Sequence, residues 1–311
     1  MVHRCPRLTA IATAIAALSV AALASPAAAQ TLGDGLLVPA HTLRTTVEYG
    51  RDRWDQYWEG GLKRSNDNIG TLTTESATWS AAYGVGRRLT VVATLPYVWT
   101  RASEGVLHGM HGAQDLTVAA KFRLLEAPIA GRATLRALVV AGAGAPTTDY
   151  TPDFLPLSIG LGSRQLIGRA AAHLQDRTGL FADGSVGHAW RSNVTIDRPS
   201  YYTDGHLVLS DEVAMPDVTD WMVAGGYQGG RLCLPVGLMG QRTLGGGDIR
   251  RQDMPFVSNR MNFVRMHARA MYTLPLPAAP VIELGAMRTL SGRNVGQSTT
   301  LIGGLTYAVR L

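Results

Sequence analysis

Beyond residue 40, apolar and polar residues alternate with a period of two, in segments of about ten residues separated by turn-forming stretches. In 115–125, Leu116, Val118, Ala120, Phe122 and Leu124 alternate with Asp115, Thr117, Ala119, Lys121 and Arg123. Segment 263–274 repeats the pattern, with Val264, Met266, Ala268, Ala270, Tyr272 and Leu274 set against Arg265, His267, Arg269 and Thr273. A helix would scatter those arginines around its circumference, whereas a strand puts them on one side, leaving one face for lipid and one for water. Segment 89–99 places Leu89, Val91, Ala93, Leu95, Tyr97 and Trp99 on one face. Its aromatic residues come only at the last two positions, where an interfacial girdle belongs. In 301–311, Leu301, Gly303, Leu305, Tyr307, Val309 and Leu311 point outward while Thr306 and Arg310 point inward. Such a terminal strand is what outer-membrane assembly machinery would read, although Leu311 stands where Phe is more usual.

The same template predicts strands at 41–51, 72–84, 89–99, 113–125, 131–143, 164–175, 179–190, 218–228, 232–244, 262–274, 281–291 and 299–311. The connections sort by length. Tight ones fall at 84–88, 126–131, 175–179, 229–231 and 275–280, and long ones, rich in Gly, Asp, Asn and Pro, at 52–71, 100–112, 144–163, 191–217 and 245–261. Short periplasmic turns facing long extracellular loops are expected of an all-β, transmembrane antiparallel β-barrel of about 12 strands. The competing fold is a soluble periplasmic sandwich or propeller, whose strands also alternate but pack large β-branched residues into a core. Here many outward positions are Ala or Gly. The aromatic content, 7%, is modest for girdles.

The N-terminus changes the picture of where the chain works. Arg4 and Arg7 precede an apolar run from Leu8 to Ala24, followed by Ser25, Pro26 and the small residues Ala27, Ala28 and Ala29. This reads as a secretory signal over 1–29, cut before Gln30 and leaving a barrel over 30–311. Cys5 precedes the apolar run, so it cannot carry a lipoprotein anchor. Cys233 alone remains beyond the signal, and one cysteine makes no internal disulfide. The net charge of +6 would fall by two on losing Arg4 and Arg7. The remaining charges are dispersed singly along alternating segments, which argues against nucleic acid. No apolar run after residue 40 is long enough to span a bilayer as a helix, so membrane residence requires closed strands.

In the run GVGRRLTVVATLPYV (84–98) followed by GAQDLTVAAKFRLLE (112–126), the chain resembles the outer-membrane barrel family named for the meta-cleavage pathway of phenol degradation. Pro96, Tyr97 and Val98 hold the family's Pro-aromatic-Val step, and Gly112, Asp115 and Lys121 its Gly-x-x-Asp strand with an inward Lys. At Ala145, Pro146, Thr147 and Thr148 the match to the family's Leu-Pro-Thr-Gly step is partial. The resemblance implies a barrel of about twelve strands and outer-membrane transport of aromatic or other poorly soluble compounds.

The pattern itself places Arg44, Glu48, Asp115, Lys121, Arg123, Arg136, Arg169, Asp183, Asp220, Arg265, Arg269, Glu283 and Arg310 inward, with His173 and His267 beside them. Basic groups outnumber acidic ones. If the lumen is open, the pore-lining set Arg44, Glu48, Asp115, Lys121, Arg123, Arg136, Arg169, Arg265, His267, Arg269, Glu283 and Arg310 should favour anions, with loop 191–217 as a lid. The alternative is that these charges pair across neighbouring strands and fill the barrel, making it a structural or loop-binding barrel without a pore. A third reading, an outer-face lipid hydrolase, would use His188 near Trp190, Ser192 and Asn193, but no Gly-x-Ser-x-Gly elbow supports it. His108 and His111 in HGMHG have the look of solvated loop residues rather than metal ligands, and GLGSRQLIG (160–168) lacks the helix a phosphate loop requires. Neither a metal, a cofactor nor catalysis is expected. The expected partners are the lipid bilayer, lipopolysaccharide, the assembly machinery and a small solute.

Overall fold

The computed structural model describes residues 31–250 and 255–311, so the expected signal segment 1–29 lies outside the described residues. The alternating segments form twelve long strands: β1 (Thr42–Trp54), β2 (Leu72–Gly84), β3 (Leu89–Ala102), β4 (Asp115–Ile129), β5 (Ala133–Pro146), β6 (Gln165–Asp176), β7 (Leu180–Arg191), β8 (Val218–Gly229), β9 (Leu232–Thr243), β10 (Asn262–Thr273), β11 (Val281–Arg293) and β12 (Thr299–Arg310). Each pairs antiparallel with its neighbours in sequence, and β1 also pairs with β12, from Thr42 opposite Arg310 to Arg53 opposite Thr299. The sheet is a closed up-and-down barrel with no free edge. A strand of twelve residues is about 40 Å long, enough to cross the apolar layer when tilted.

The side chains divide as the alternation requires. Val47, Tyr49, Phe122, Leu166, Val223, Leu284, Leu301 and Leu305 stand exposed on the outside, while Lys121, His173, Glu283, Thr289 and Thr306 are buried within. Aromatic residues mark both ends of the outer face. Tyr49, Tyr97, Trp99 and Trp190 lie toward the long loops and Tyr227, Tyr272 and Tyr307 toward the short turns.

Strand boundaries agree with the alternation to within a few residues, and the main difference has a cause. The turn expected at 126–131 is in fact confined to 130–132, because β4 runs on to Ile129. A β-bulge between Arg123 and Leu125 shifts the register there, and Glu126 then faces Arg136 across the strand pair. Pro128, which has no amide to donate, sits near the strand's end.

The long loops fold onto the barrel mouth. Loop 192–217 carries two small hairpin pairings, Val194–Thr195 with Glu212–Val213 and Tyr201–Thr203 with His206–Val208. Its Val194, Ile196, Tyr201, Val213 and Met215 pack with Phe256 and Val257 of the next long loop. The segment expected to act as a lid is therefore half of an apolar cap shared with a second loop. Ile69, Leu72 and Leu157 join a further cluster with Trp54, Leu107 and Phe154. Asn294 ties the loops together from a left-handed backbone conformation (φ 56°) that asparagine tolerates. Its Oδ1 accepts from the amides of Gly60 (2.8 Å) and Ile249 (2.9 Å), and its Nδ2 donates to Asp248 and the Arg260 carbonyl.

A charge placed on the outer face at mid-strand tests the barrel against any soluble sheet. Leu305→Arg, opposite Val47 and Ile282, should destabilise the protein refolded in phospholipid vesicles by about 2–4 kcal/mol, whereas Leu305→Ala should cost less. Urea titration in vesicles measures both. Equal costs for the two substitutions would show that this face does not meet hydrocarbon.

Candidate functional site

The lumen is where the inward residues converge, and its first structural element is one that the alternation does not reveal. Residues 31–38 enter the barrel from the short-turn end and run along its inner wall. The chain is fixed at its start, where the His41 amide donates to the Gly84 carbonyl (2.7 Å) and the Val38 amide to Thr90 Oγ1 (3.0 Å). Val38 and Leu32 pack on Ala82 and Val92. Gly35 passes so close to β6 that a Cβ there would meet the Cβ of His173 at 2.5 Å. Only glycine fits at that crossing without displacing the wall.

This segment brings the counter-charge for Lys121. The ammonium is fully buried and donates to Asp34 Oδ1 and to the Thr31 carbonyl, both at 2.8 Å. Asp34 is held in turn by the Thr31 amide and hydroxyl. A buried cation is tolerated only when paired and hydrogen-bonded, so the segment and the lysine stabilise each other's position.

The other inward groups form three further sets. Arg269 donates to Glu48 (3.1 Å) and to Glu283, joining β10, β1 and β11 along one side of the lumen. Arg169 pairs with Asp220 and donates to Ser185 Oγ (3.1 Å), while His173 Nδ1 lies within hydrogen-bond distance of Asp183 (2.8 Å) and its ring stacks on Phe181. At the short-turn rim, Glu126 bridges Arg123 (2.6 Å) and Arg136 (2.9 Å). Arg265 sits higher, over the Phe263 ring at 4.3 Å, and donates to Thr289 (3.2 Å). Arg44 is buried at the foot of β1, and Arg310 stands exposed at the rim, apart from the rest. Asp115 belongs to the mouth, where it accepts from the Tyr150 hydroxyl at 2.6 Å.

Thus the sequence locates the inward side chains, and the structure gathers most of them into neutralised groups. Lys121, Arg169 and Arg269 each face at least one carboxylate, and Asp34 is an acid that counting along the strands omits. Between residues 31–36 and the wall of β6–β10 lies a cavity of about 260 Å³. Leu36, Phe181, Met222, Pro235, Met239 and Met271 line its body, and Arg169, Asp183, Asp220, His267 and Arg269 its edge. The large apolar members escape an argument based on charge. Their signal is a strand apolar on both faces, as in β8, where Met222 and Ala224 alternate with Trp221 and Val223. Cys233 is buried at the cavity wall as a free thiol.

The proposed hydrolase group does not assemble. His188 points outward, its Nε2 3.6 Å from Asp217 and its ring against Trp190, while Ser192 bonds to the backbone of Asn193 and Arg164. His108 and His111 are both exposed.

At the mouth, two loop groups have shifted proton affinities. Burial, then the hydrogen bond to Asp115, raises the Tyr150 hydroxyl above its ordinary value, so it keeps its proton, donating to Asp115 and accepting from the Gly162 amide. Asp248 moves the other way. Hydrogen bonds from Arg293 hold its carboxyl below the usual range, against a smaller opposing effect of burial, with Asn294 adding to the depression.

No protein-family model matches the sequence, and no curated protein matches it. Among solved structures, the chain is similar to the COG4313 outer membrane channel from Pseudomonas putida F1, at 17% identity and a TM-score of 0.71, covering 90% of this chain and all of that one. Looser likenesses include the NanC porin (9% identity, TM-score 0.44, 85% and 98% covered) and the translocator domain of the autotransporter NalP from Neisseria meningitidis (12%, 0.43, 97% and 95%). The likeness to the COG4313 channel shows that those two chains share one fold.

The depressed Asp248 carboxyl gives the cap a defined acid sensitivity. Its contribution is complete above the unfolded aspartate value of about 3.9 and is lost as pH falls through the lower folded value. Amide exchange in 244–250, corrected for intrinsic rate, should therefore rise between pH 5 and pH 2. Asp248→Asn should exchange fast already at pH 5. A pH-independent difference between the two proteins would show that the Arg293 pair does not hold the loop.

Proposed function

We propose that this chain is an outer-membrane channel for small solutes, related to the transporter family named for the meta-cleavage pathway of phenol degradation. The observation that carries the reading is the lumenal cavity, enclosed between the 31–38 segment and the barrel wall and lined by Phe181, Met222, Met239 and Met271. A Met- and Phe-lined body with paired charges along one edge suits a small, largely apolar ring that carries one polar or anionic group. A cavity of about 150 Å³ already accommodates a benzene ring, so about 260 Å³ leaves space for a substituent. The shared fold with an outer membrane channel supports the location and the role. Passage requires the inner segment to yield, because Lys121 and Asp34 close one side of the route.

A specific observation also favours the structural barrel without a pore: the segment occupies one end and the apolar loop cap the other. One substitution separates the readings. Asp34→Asn leaves Lys121 buried without its counter-charge, at a cost of about 3–5 kcal/mol that release of the short segment would relieve. Planar-bilayer recording should then show a higher conductance than the native chain. Asp34→Leu combined with Lys121→Met should return it to the native level. A bilayer that stays silent with inserted Asp34→Asn protein would favour the closed barrel.

Selectivity follows from the Arg269 group. Arg269→Gln leaves Glu48 and Glu283 without their shared cation, so reversal potentials under a salt gradient should move toward cation preference. An unchanged reversal potential in a conducting channel would place the ion route away from these three residues.

A further inference from the structure

The outer face at the loop end carries arginines that the channel reading does not use. Register places five residues in one row across five adjacent strands: Arg288 opposite Thr299, Thr299 opposite Arg53, Arg53 opposite Thr73, and Thr73 opposite Arg101. The row below sets Arg51 opposite Glu75, and Glu75 opposite Trp99. By alternation these side chains point away from the lumen, and Arg51, Arg53, Arg101 and Arg288 are all exposed. Four guanidinium groups thus share a patch in which the two rows contain one carboxylate. Glu75 lies 3.6 Å from Arg51 and 3.5 Å from Arg101, and it also accepts from the Tyr49 hydroxyl. One carboxylate cannot neutralise two arginines, and Arg53 and Arg288 make no ion pair among the described residues.

The position of the patch identifies what lies against it. Trp99 stands in the second row, Tyr49 and Tyr97 immediately below it, and below those Val47, Trp79, Leu95 and Leu305. Apolar residues, then aromatic ones, then arginines is the order of hydrocarbon, interface and headgroup. Alternate strands are about 10 Å apart, so Arg288, Arg53 and Arg101 form a row of guanidinium forks about 20 Å long. Arginine forks match phosphate oxygens in pairs and are less heavily hydrated than ammonium groups. Two strands beyond Arg288, Arg242 of β9 stands outward opposite Thr219 and outside this row.

We propose that this sector binds the phosphorylated headgroup of the glycolipid that forms the outer leaflet, its acyl chains lying on the apolar rows beneath. The inference rests on the outer-membrane reading above. The test uses the full chain refolded in detergent, titrated with purified diphosphorylated lipid A and followed by native mass spectrometry. Lipid A stripped of phosphate and phosphatidylglycerol serve as comparators. The native chain should retain diphosphorylated lipid A in preference to both. Arg53→Gln, Arg101→Gln and Arg288→Gln together should weaken binding about tenfold or more, the corresponding lysine variant less, and Arg242→Gln not at all. Raised salt should weaken the native interaction. Equal binding by the triple glutamine variant, or equal binding of dephosphorylated lipid A or phosphatidylglycerol, would overturn the proposal. Solute flux through the same variants in vesicles free of glycolipid is read separately. Flux without selective glycolipid binding would strike this inference alone, and binding without flux would strike only the channel reading.

Discussion

In hydrocarbon an unpaired amide or carbonyl has no water to turn to, and the penalty for each is several kcal/mol. This condition, more than any side-chain contact, organises the chain. It requires every strand to have two neighbours, so β1 must pair with β12 as well as β2, and the strand number must be even for antiparallel closure. Closure in turn fixes two surfaces with opposite demands. The outer one is uniform in what it accepts, while the inner one must be filled by whatever the inward positions and the chain ends can supply.

A barrel of twelve strands is too wide for its own side chains to fill evenly and too narrow to stay simply empty. The chain resolves this unevenly. On the side of β2–β4, Val38, Leu32 and Asp34 occupy the lumen, and where the same segment crosses β6 the fit at Gly35 is tight enough to exclude any side chain. On the side of β6–β10, methionines and Phe181 leave a cavity. Thioethers are flexible and polarisable, so such a wall can repack around differently shaped guests. The filled side is anchored by one buried ion pair, and removing either partner would leave the other charge buried and uncompensated.

The strands were legible because their physics is periodic. Two environments on two faces impose a period of two, and Arg265, His267 and Arg269 reveal it without any knowledge of what they touch. The inward assignment of Lys121, Glu48 and Glu283 follows from that period alone. What each inward charge pairs with does not. Arg269 and Glu283 lie on strands joined by one tight turn, so their pairing is the kind that neighbouring strands allow; Glu48 joins them only because closure brings β1 beside β12, and its separation in sequence carries no signal of it. Asp34 was invisible for another reason: 31–38 has neither period, and its contacts are made by individual fits to a wall built later in the chain. The apolar cavity hid behind the opposite ambiguity, since β8, apolar on both faces, looks like a weaker version of the amphipathic pattern rather than a distinct lumenal surface.

Charge is managed differently on the two surfaces, and the difference separates structure from recognition. Inside, Lys121, Arg169 and Arg269 meet carboxylates at close range, because an isolated charge in a confined lumen would draw in water or force the chain to move. Outside, Arg53 and Arg288 stand without carboxylates just above the aromatic belt. A protein selected only for stability could place Ser or Thr there at no loss, as it does at Thr73 and Thr299 in the same row. Keeping fixed positive charge where it cannot assist closure, packing or the solute path makes sense only if something outside the protein supplies the anion. The inner pairs therefore explain how the barrel holds together, and the outer arginines describe the surroundings for which it is built.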